Sequence, residues 1–297
     1  FSVVNWDDDG FADVLVVSDQ LHSNANGNAR VAGYVFDGQS FWGAEDLPSA
    51  TAASRLAMFT LPATDVVTEA RALLNDGVGT GSVSSRAVAS PRLSAIVAGD
   101  VDGDGREDVL IADTGAITFP SAAGAGGEGS GSTLLPNYGK VYLLSATSQG
   151  VQQTVALGTA SMAVVQGFGI GASLAALGDL DRDGYDDFAV GQSFEGRKSG
   201  PTDPAEEGGL FVFGGRESFG ARNAKLAPED ARITVRRDVA ANIPLGITYQ
   251  GALTATAGDF NADGVADLAV GEAARLTVSG GTTLDQSERG AVHVFFS

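Results

Sequence analysis

Hydrophobic and polar positions along the chain repeat one arrangement four times. In each copy an alternating apolar stretch leads into a polar segment rich in Asp and Gly, and a run of aliphatic and β-branched residues follows. The polar segments begin at Asn5, Asp100, Asp179 and Asp259. Because alternation and short β-branched runs are typical of strands, each copy predicts two strands joined by a polar loop.

Further strands are predicted downstream of each loop. A Gly followed by alternating aromatic and aliphatic residues predicts a third strand from Gly33, Gly139, Gly208 and Gly290. A fourth strand is predicted in three copies, at residues 56–61, 162–166 and 232–236. Four-stranded antiparallel sheets repeated along one chain are the blades of a β-propeller. The predicted fold class is therefore all-β, a propeller whose polar loops join the first and second strands of each blade.

The copies divide the chain into four modules, at about residues 1–90, 91–166, 167–247 and 248–297. A helical solenoid is disfavoured because only residues 65–76 have a helical pattern, and we interpret them as an insertion in the first module. Residues 121–133, rich in Gly, Ala and Ser, and residues 197–208 are predicted to be loops between the second and third strands.

Composition narrows the class of protein. A chain of 297 residues with 43% hydrophobic content can bury its own core, and its apolar runs are strand-sized rather than the ~20 residues of a spanning helix. The formal charge of -19 disfavours nucleic acid and direct membrane insertion, and makes cations the natural counterpart. Cysteine is absent, so disulfides and zinc-thiolate sites are excluded.

Each polar loop has oxygen-bearing residues at positions 1, 3, 5 and 9, and Gly at position 6. This spacing directs alternate side chains into a tight turn and frees the position-7 carbonyl, an oxygen set that suits Ca²⁺ better than Mg²⁺. About four Ca²⁺ ions would move the formal charge from -19 to -11. The predicted ligands are Asn5, Asp7, Asp9, Phe11 and Asp13; Asp100, Asp102, Asp104, Arg106 and Asp108; Asp179, Asp181, Asp183, Tyr185 and Asp187; Asp259, Asn261, Asp263, Val265 and Asp267.

The loop pattern has two other interpretations. An EF-hand needs a bidentate Glu at position 12 and flanking helices. Position 12 is apolar in all four copies and lies within a predicted strand, at Val16, Ile111, Val190 and Val270. Metal-free Asp-Gly turns would explain a single copy. Four copies in register favour calcium.

The loop pattern D-x-[DN]-x-D-G-x-x-D between strands, with Val190-Gly191, the Val270-Gly271-Glu272-Ala273 continuation and Phe168-Gly169, resembles FG-GAP repeats. These repeats form the integrin α-chain propeller and occur in many bacterial surface and secreted proteins. The resemblance implies structural calcium loops on one rim and an extracellular or cell-surface location. It also implies partner contact through loops on the opposite face, for which residues 39–53 with Phe41 and Trp42 are candidates. Because family propellers commonly have six or seven blades, we expect this chain to be part of a larger propeller or polypeptide.

The function expected from this resemblance is adhesion, recognition or structural support in a surface assembly, with a protein or glycan partner that the sequence does not identify. The alternative is the propeller domain of a secreted lyase or hydrolase. The supply of catalytic groups is small: His22 lies in a polar loop, His293 lies in a predicted strand, and no nucleophile elbow or phosphate-binding loop occurs. We therefore predict a chain that is not an enzyme and has no catalytic residues.

Overall fold

The computed structural model describes residues 1–17, 29–41, 55–62, 88–90, 93–114, 116–119, 133–134, 138–146, 153–193, 209–221, 224–236, 248–249, 253–272, 275–279, 283–288 and 290–297. Within them the chain is all-β, as predicted. The helical segments there are short: α1 (Gly38–Phe41), α2 (Leu157–Ala160) and the 3₁₀ helices Glu217–Ala221 and Pro228–Asp230. No helix in the described part is long and apolar enough to cross a bilayer. The predicted helix at 65–76 and the predicted loop at 197–208 lie outside the described residues.

Four sheets follow one another along the chain, and each is built around one polar loop. Neighbouring core strands are antiparallel and follow chain order. Sheet 1 contains β1 (Ser2–Val4), β2 (Asp13–Val17), β3 (Ala29–Phe36) and β4 (Arg55–Pro62). Sheet 2 contains β6 (Leu93–Gly99), β7 (Asp108–Asp113), β10 (Tyr138–Ser145) and β12 (Ala163–Phe168). Sheet 3 contains β13 (Ile170–Gly178), β14 (Asp187–Gln192), β15 (Gly209–Phe213) and β17 (Ile233–Arg236). Sheet 4 contains β19 (Thr254–Gly258), β20 (Asp267–Glu272) and β23 (Ala291–Phe295).

The predicted fourth strands are confirmed in the first three sheets, where β4, β12 and β17 form beside the third strands. Two edges then carry a fifth, parallel strand that the sequence pattern did not predict. Strand β11 (Gln153–Ala156) pairs with β4, and β16 (Ala224–Leu226) pairs with β12. Both follow the third strand of one sheet and cross back to the preceding sheet. We call the segments 153–160 and 217–226 the crossing segments.

Two small three-stranded sheets are formed by residues of the second and fourth modules, and the first of them also includes a strand from the end of the first module. The first contains β5 (Val88–Ser90), β8 (Ala116–Phe119) and β9 (Thr133–Leu134). The second contains β18 (Thr248–Tyr249), β21 (Arg275–Ser279) and β22 (Thr283–Glu288). Thr133 was predicted to lie in a loop and instead lies in β9, while the remainder of that loop is outside the described residues. Because these sheets follow the ends of β7 and β20, they lie at the ends opposite the polar loops.

The sheets pack face to face, so the middle strands are buried on both sides. In β7, Val109 and Ile111 belong to a core shared with sheet 1, whereas Leu110 and Ala112 belong to a core shared with sheet 3. A third core joins sheets 3 and 4. Strands covered on both faces read as continuous apolar runs rather than alternating ones, which explains the sequence of β7.

The crossing segments add apolar side chains to the cores between sheets. Leu157 is fully buried in the core between sheets 1 and 2, and Phe219 and Leu226 belong to the core between sheets 2 and 3. The sequence around these residues does not predict their burial, because most of their neighbours in the chain are small or polar. The crossing segments therefore join neighbouring sheets by both strand pairing and side-chain packing.

We predict that Leu157→Ala lowers the free energy of unfolding by about 2–5 kcal/mol, because it removes a fully buried side chain and leaves a cavity between two sheets. Urea unfolding followed by circular dichroism measures this change. Thr154→Ala, on the exposed face of β11, is the matched control and should change stability by less than about 0.5 kcal/mol. Equal effects of the two changes would mean that the crossing segment contributes no interior packing.

Candidate metal centre

The four polar loops share one backbone conformation. The backbone enters the left-handed region at positions 4 and 6, and the N–H of position 7 donates to the carboxylate of position 5 in every loop. Position 6 is always Gly, and a Cβ there would meet no atom within 4 Å, so the conformation and not the space requires Gly. Position 4 is Asp8, Gly103, Arg182 and Ala262, with φ between 60° and 75°.

The carboxylate at position 9 fixes each loop to its sheet. One oxygen of this Asp accepts the N–H of position 2, at 2.8–3.0 Å in all four loops. In three loops the other oxygen accepts the N–H of the second residue after the third strand, namely Gly38, Gly215 or Ser297, at 2.9–3.0 Å. The four carboxylates, which are 0–2% exposed, belong to Asp13, Asp108, Asp187 and Asp267.

Predicted ligand oxygens converge most clearly in the second and third loops. Ligand atoms of Asp100, Asp102 and Asp108 lie within 4.8 Å of one another. The third loop brings together Asp179, Asp181 and Asp183 in the same way, while Asp187 points to the backbone of its sheet. Such a separation leaves room for one cation between the oxygens, as Ca²⁺ coordination requires.

Buried oxygens without a hydrogen-bond partner occur in three loops. They are Asn5 Oδ1 and Asp7 Oδ1 in the first loop, Asp100 Oδ1 and Asp108 Oδ1 in the second, and Asp181 Oδ2 in the third. Asp181 Oδ2 does contact the Arg232 guanidinium. A buried polar atom that has no partner is costly, so the four atoms of the first two loops fit a bound cation. The residues present therefore suit the metal that their spacing predicted.

The fourth loop is more exposed and is organised by its own hydrogen bonds. The Asp263 N–H donates to Asp259 Oδ1 at 3.0 Å and to Asn261 Oδ1 at 2.9 Å. The Gly264 N–H donates to Asp259 Oδ2 at 2.9 Å, and the second and third loops repeat this bond. The position-7 carbonyls of Phe11, Arg106, Tyr185 and Val265 remain predicted ligands.

Two arginines contact the ligand carboxylates of the described loops. The Arg106 side chain donates to Asp104 Oδ2 at 2.9 Å, and Asp104 raises the pKa of this guanidinium. Arg232, from the start of the fourth strand, pairs with Asp181 and lies 4.0 Å from Asp183. Positive charge thus already lies beside two clusters, where a cation would compete with it.

Contacts between loops were not predicted from the sequence. The Asn5 N–H donates to Glu107 Oε2 at 2.9 Å, and the Asp100 N–H donates to Asp186 Oδ2 at 2.8 Å. Both acceptors stand at position 8 of the following loop. Asp186 also donates its own N–H to the Asp100 carbonyl at 2.9 Å. The sequence feature that could have indicated these contacts is the acidic residue at position 8 of the second and third loops. The first and fourth loops have Ala at this position.

Among known protein families, one matches the part of the chain that contains the third loop and its flanking strands. Residues 171–213 match the family model described as FG-GAP repeat. This part of the chain is similar to an FG-GAP repeat. The match begins in β13, includes the whole third loop and ends in β15, so the predicted resemblance is confirmed at this module.

Integrin α chains match a longer part of this chain than the FG-GAP family model does. Human integrin alpha-IIb is 31% identical over 175 residues, which is 58% of this chain and 14% of that protein. Human integrin alpha-11 is 30% identical over 178 residues, covering 60% of this chain and 12% of that protein. Mouse integrin alpha-E is 26% identical over 174 residues. The matched region is thus a small part of each of these longer relatives.

The electrostatics of the polar loops favour occupation by positive charge. The pKa of Asp108 is raised to about 8, chiefly by burial and also by the neighbouring carboxylates of Asp102, Asp104 and Asp100, while the hydrogen bond from the Val101 N–H lowers it. Burial also raises the pKa values of Asp7, Asp13, Asp102 and Asp187. The Ser297 N–H lowers the pKa of Asp267. Crowded, poorly solvated carboxylates hold protons when no cation is present.

We predict that the chelator-treated protein loses stability between about pH 4 and pH 8. The Asp108 pKa near 8 exceeds its ordinary value of 3.8, so the folded state holds a proton in this range that the unfolded state has released. Raising the pH therefore favours unfolding. Thermal melting across this range measures the slope, and Asp108→Asn should flatten it. A stability that rises steadily from pH 4 to pH 8 would contradict this assignment.

We predict that Asp186→Ala destabilises the protein by about 1–3 kcal/mol, since it removes the charged acceptor of the Asp100 N–H. Chemical denaturation measures the change. Glu229→Ala, an exposed carboxylate on a 3₁₀ helix, is the control and should be nearly neutral. If both variants unfold at the same denaturant concentration, the contact between the second and third loops has no energetic role.

Proposed function

We propose that this chain is a calcium-stabilised, integrin-like β-propeller segment that acts outside the cell in adhesion, recognition or surface assembly. Its four modules form one propeller segment, and each carries one Ca²⁺ in its polar loop. The observation that carries the proposal is the convergence of Asp100, Asp102 and Asp108, with buried oxygens of Asp100 and Asp108 that have no hydrogen-bond partner. A hard divalent cation satisfies these atoms and neutralises the carboxylates.

Calcium has a structural role in this proposal. In three loops the position-9 carboxylate ties the loop to the end of the third strand, so a cation held by the same loop would stabilise the adjoining strands. Filling four loops also removes much of the repulsion within a chain of formal charge -19. The metal ligands we propose are the side chains at positions 1, 3, 5 and 9 and the carbonyl at position 7 of each loop.

The adhesion part of the proposal is supported by the similarity to integrin alpha-IIb and integrin alpha-11. A protein or glycan partner would contact the end of the sheets opposite the calcium loops. The small sheets β5-β8-β9 and β18-β21-β22 lie at that end. They extend the surface available to a partner without disturbing the loops.

Calorimetric titration of chelator-treated protein with Ca²⁺ tests the proposal. We expect about four sites and a large rise in melting temperature, because each site contributes about 2.7 kcal/mol at a hundredfold excess of Ca²⁺ over its Kd. Asp102→Ala should remove one site, whereas the exposed Asp230→Asn should leave the number unchanged. Absence of both binding and stabilisation would reject the calcium assignment.

A further inference from the structure

The second and third polar loops contact each other through position 8 of the third loop. This residue is Asp186. Its carboxylate accepts the Asp100 N–H at 2.8 Å, and its own N–H donates to the Asp100 carbonyl at 2.9 Å. A further backbone bond joins the same two modules, since the Arg216 N–H donates to the Val101 carbonyl at 2.8 Å. Both polar groups of the Asp100 backbone are therefore held by one residue of the neighbouring loop.

Close backbone packing accompanies these hydrogen bonds. A Cβ atom at Gly99, the residue before the second loop, would clash with the Asp186 carboxylate. A Cβ atom at Gly103, within the second loop, would clash with the Tyr185 ring of the third loop. The approach of the two loops thus depends on the absence of side chains at two positions of the second loop and the strand before it.

Both partners of the contact adjoin the proposed calcium ligands. Asp100 is position 1 of the second loop, where its Oδ1 atom is buried without a hydrogen-bond partner. Asp186 lies between Tyr185, whose carbonyl is a proposed ligand, and Asp187, whose carboxylate fixes the third loop to its sheet. A cation that fixes the ligands of one loop therefore also fixes backbone that positions ligands of the other loop.

The other neighbouring loops are joined in different ways. Glu107, at position 8 of the second loop, is exposed and accepts the Asn5 N–H of the first loop at 2.9 Å. The fourth loop has Ala266 at position 8, which offers no carboxylate. The third loop reaches the fourth through the Arg182 guanidinium, which donates to the Gly264 carbonyl. Among the described residues, we therefore expect the strongest link between the second and third loops.

We propose that Asp186 is a positioning residue that couples the second and third loops, so that Ca²⁺ bound in one loop raises the Ca²⁺ affinity of the other. This inference rests on the proposed calcium function. The first ion orders the backbone that links the loops, and the second ion then binds to a loop that is already partly ordered. By thermodynamic linkage the effect is equal in both directions. Repulsion between the two cations acts against it.

Calorimetric titration of three forms of the full chain with Ca²⁺ measures the coupling. All three carry Asp9→Ala and Asp263→Ala, which remove the proposed sites of the first and fourth loops. One form keeps both middle loops, and the other two also carry Asp104→Ala or Asp183→Ala, which leaves a single loop intact. The coupling factor is the overall binding constant of the two-site form divided by the product of the two single-site constants. We expect a factor of about five or more.

Variants at position 8, made in all three forms, identify the residue responsible. Asp186→Ala gives the third loop the residue found in the fourth and should reduce the coupling factor to one or below. Asp186→Asn keeps an oxygen that accepts the Asp100 N–H and should retain the coupling. Glu107→Ala is the matched control at position 8 of the second loop and should also retain it. A change that only destabilises the fold would weaken the single-site constants and leave the factor unchanged.

The outcomes distinguish failure of this inference from failure of the proposed function. Binding by both single-site forms with a coupling factor of one would overturn the inference alone. The inference would also be overturned by coupling that survives Asp186→Ala, or by coupling that Asp186→Asn or Glu107→Ala removes to the same extent. No binding by any form would reject the proposed function as well.

Native mass spectrometry provides the test if the multiply substituted chains do not fold. It counts the Ca²⁺ ions on each molecule of the otherwise unchanged protein and of Asp186→Ala. Because coupled sites fill together, the unchanged protein should show a broader distribution of ion counts at half-saturation than Asp186→Ala. Identical distributions for the two proteins would overturn the inference.

Discussion

The buried carboxylate at position 9 is the interaction on which the rest of three modules depends. Asp13, Asp187 and Asp267 each accept one N–H from the loop and another from the end of the third strand. A single side chain therefore sets the loop turn, the spacing of the first strand pair and the end of the third strand. Such a carboxylate is stable in the interior only when its oxygens are satisfied, and in these three modules the two backbone N–H groups satisfy them.

Burial on both faces is the second constraint. Because β7 contributes alternate residues to two different cores, sheet 2 cannot be removed without exposing both neighbours. The crossing segments reinforce this dependence, since Leu157 and Leu226 are carried by one module and packed against another. Stability is therefore a property of neighbouring sheets and not of single modules, as in other repeat proteins.

The regular parts of the fold could be predicted from the sequence because each has a strong local signal. Gly105 between alternating Asp residues indicates a loop, and the runs around it indicate strands. The crossing strands have no such signal: β16 is three residues long, and its partner is set by the path of the chain in space. The left-handed conformation at Arg182 also has no signal in the sequence, because non-Gly residues seldom adopt it. Contacts such as that of Asp186 with Asp100 depend on how two sheets are placed together.

Because each crossing segment pairs with the preceding sheet, the sheets are completed in order from the N-terminal side of the chain. During synthesis, the edge of β4 leaves the ribosome well before its partner β11, which emerges only after the first three strands of sheet 2. The edge of β12 waits in the same way for β16. Each crossing segment pairs with the edge strand of the sheet synthesised before it. A nascent chain therefore exposes one unpaired fourth-strand edge at a time. Chaperone dependence and aggregation during translation would accordingly follow the youngest edge.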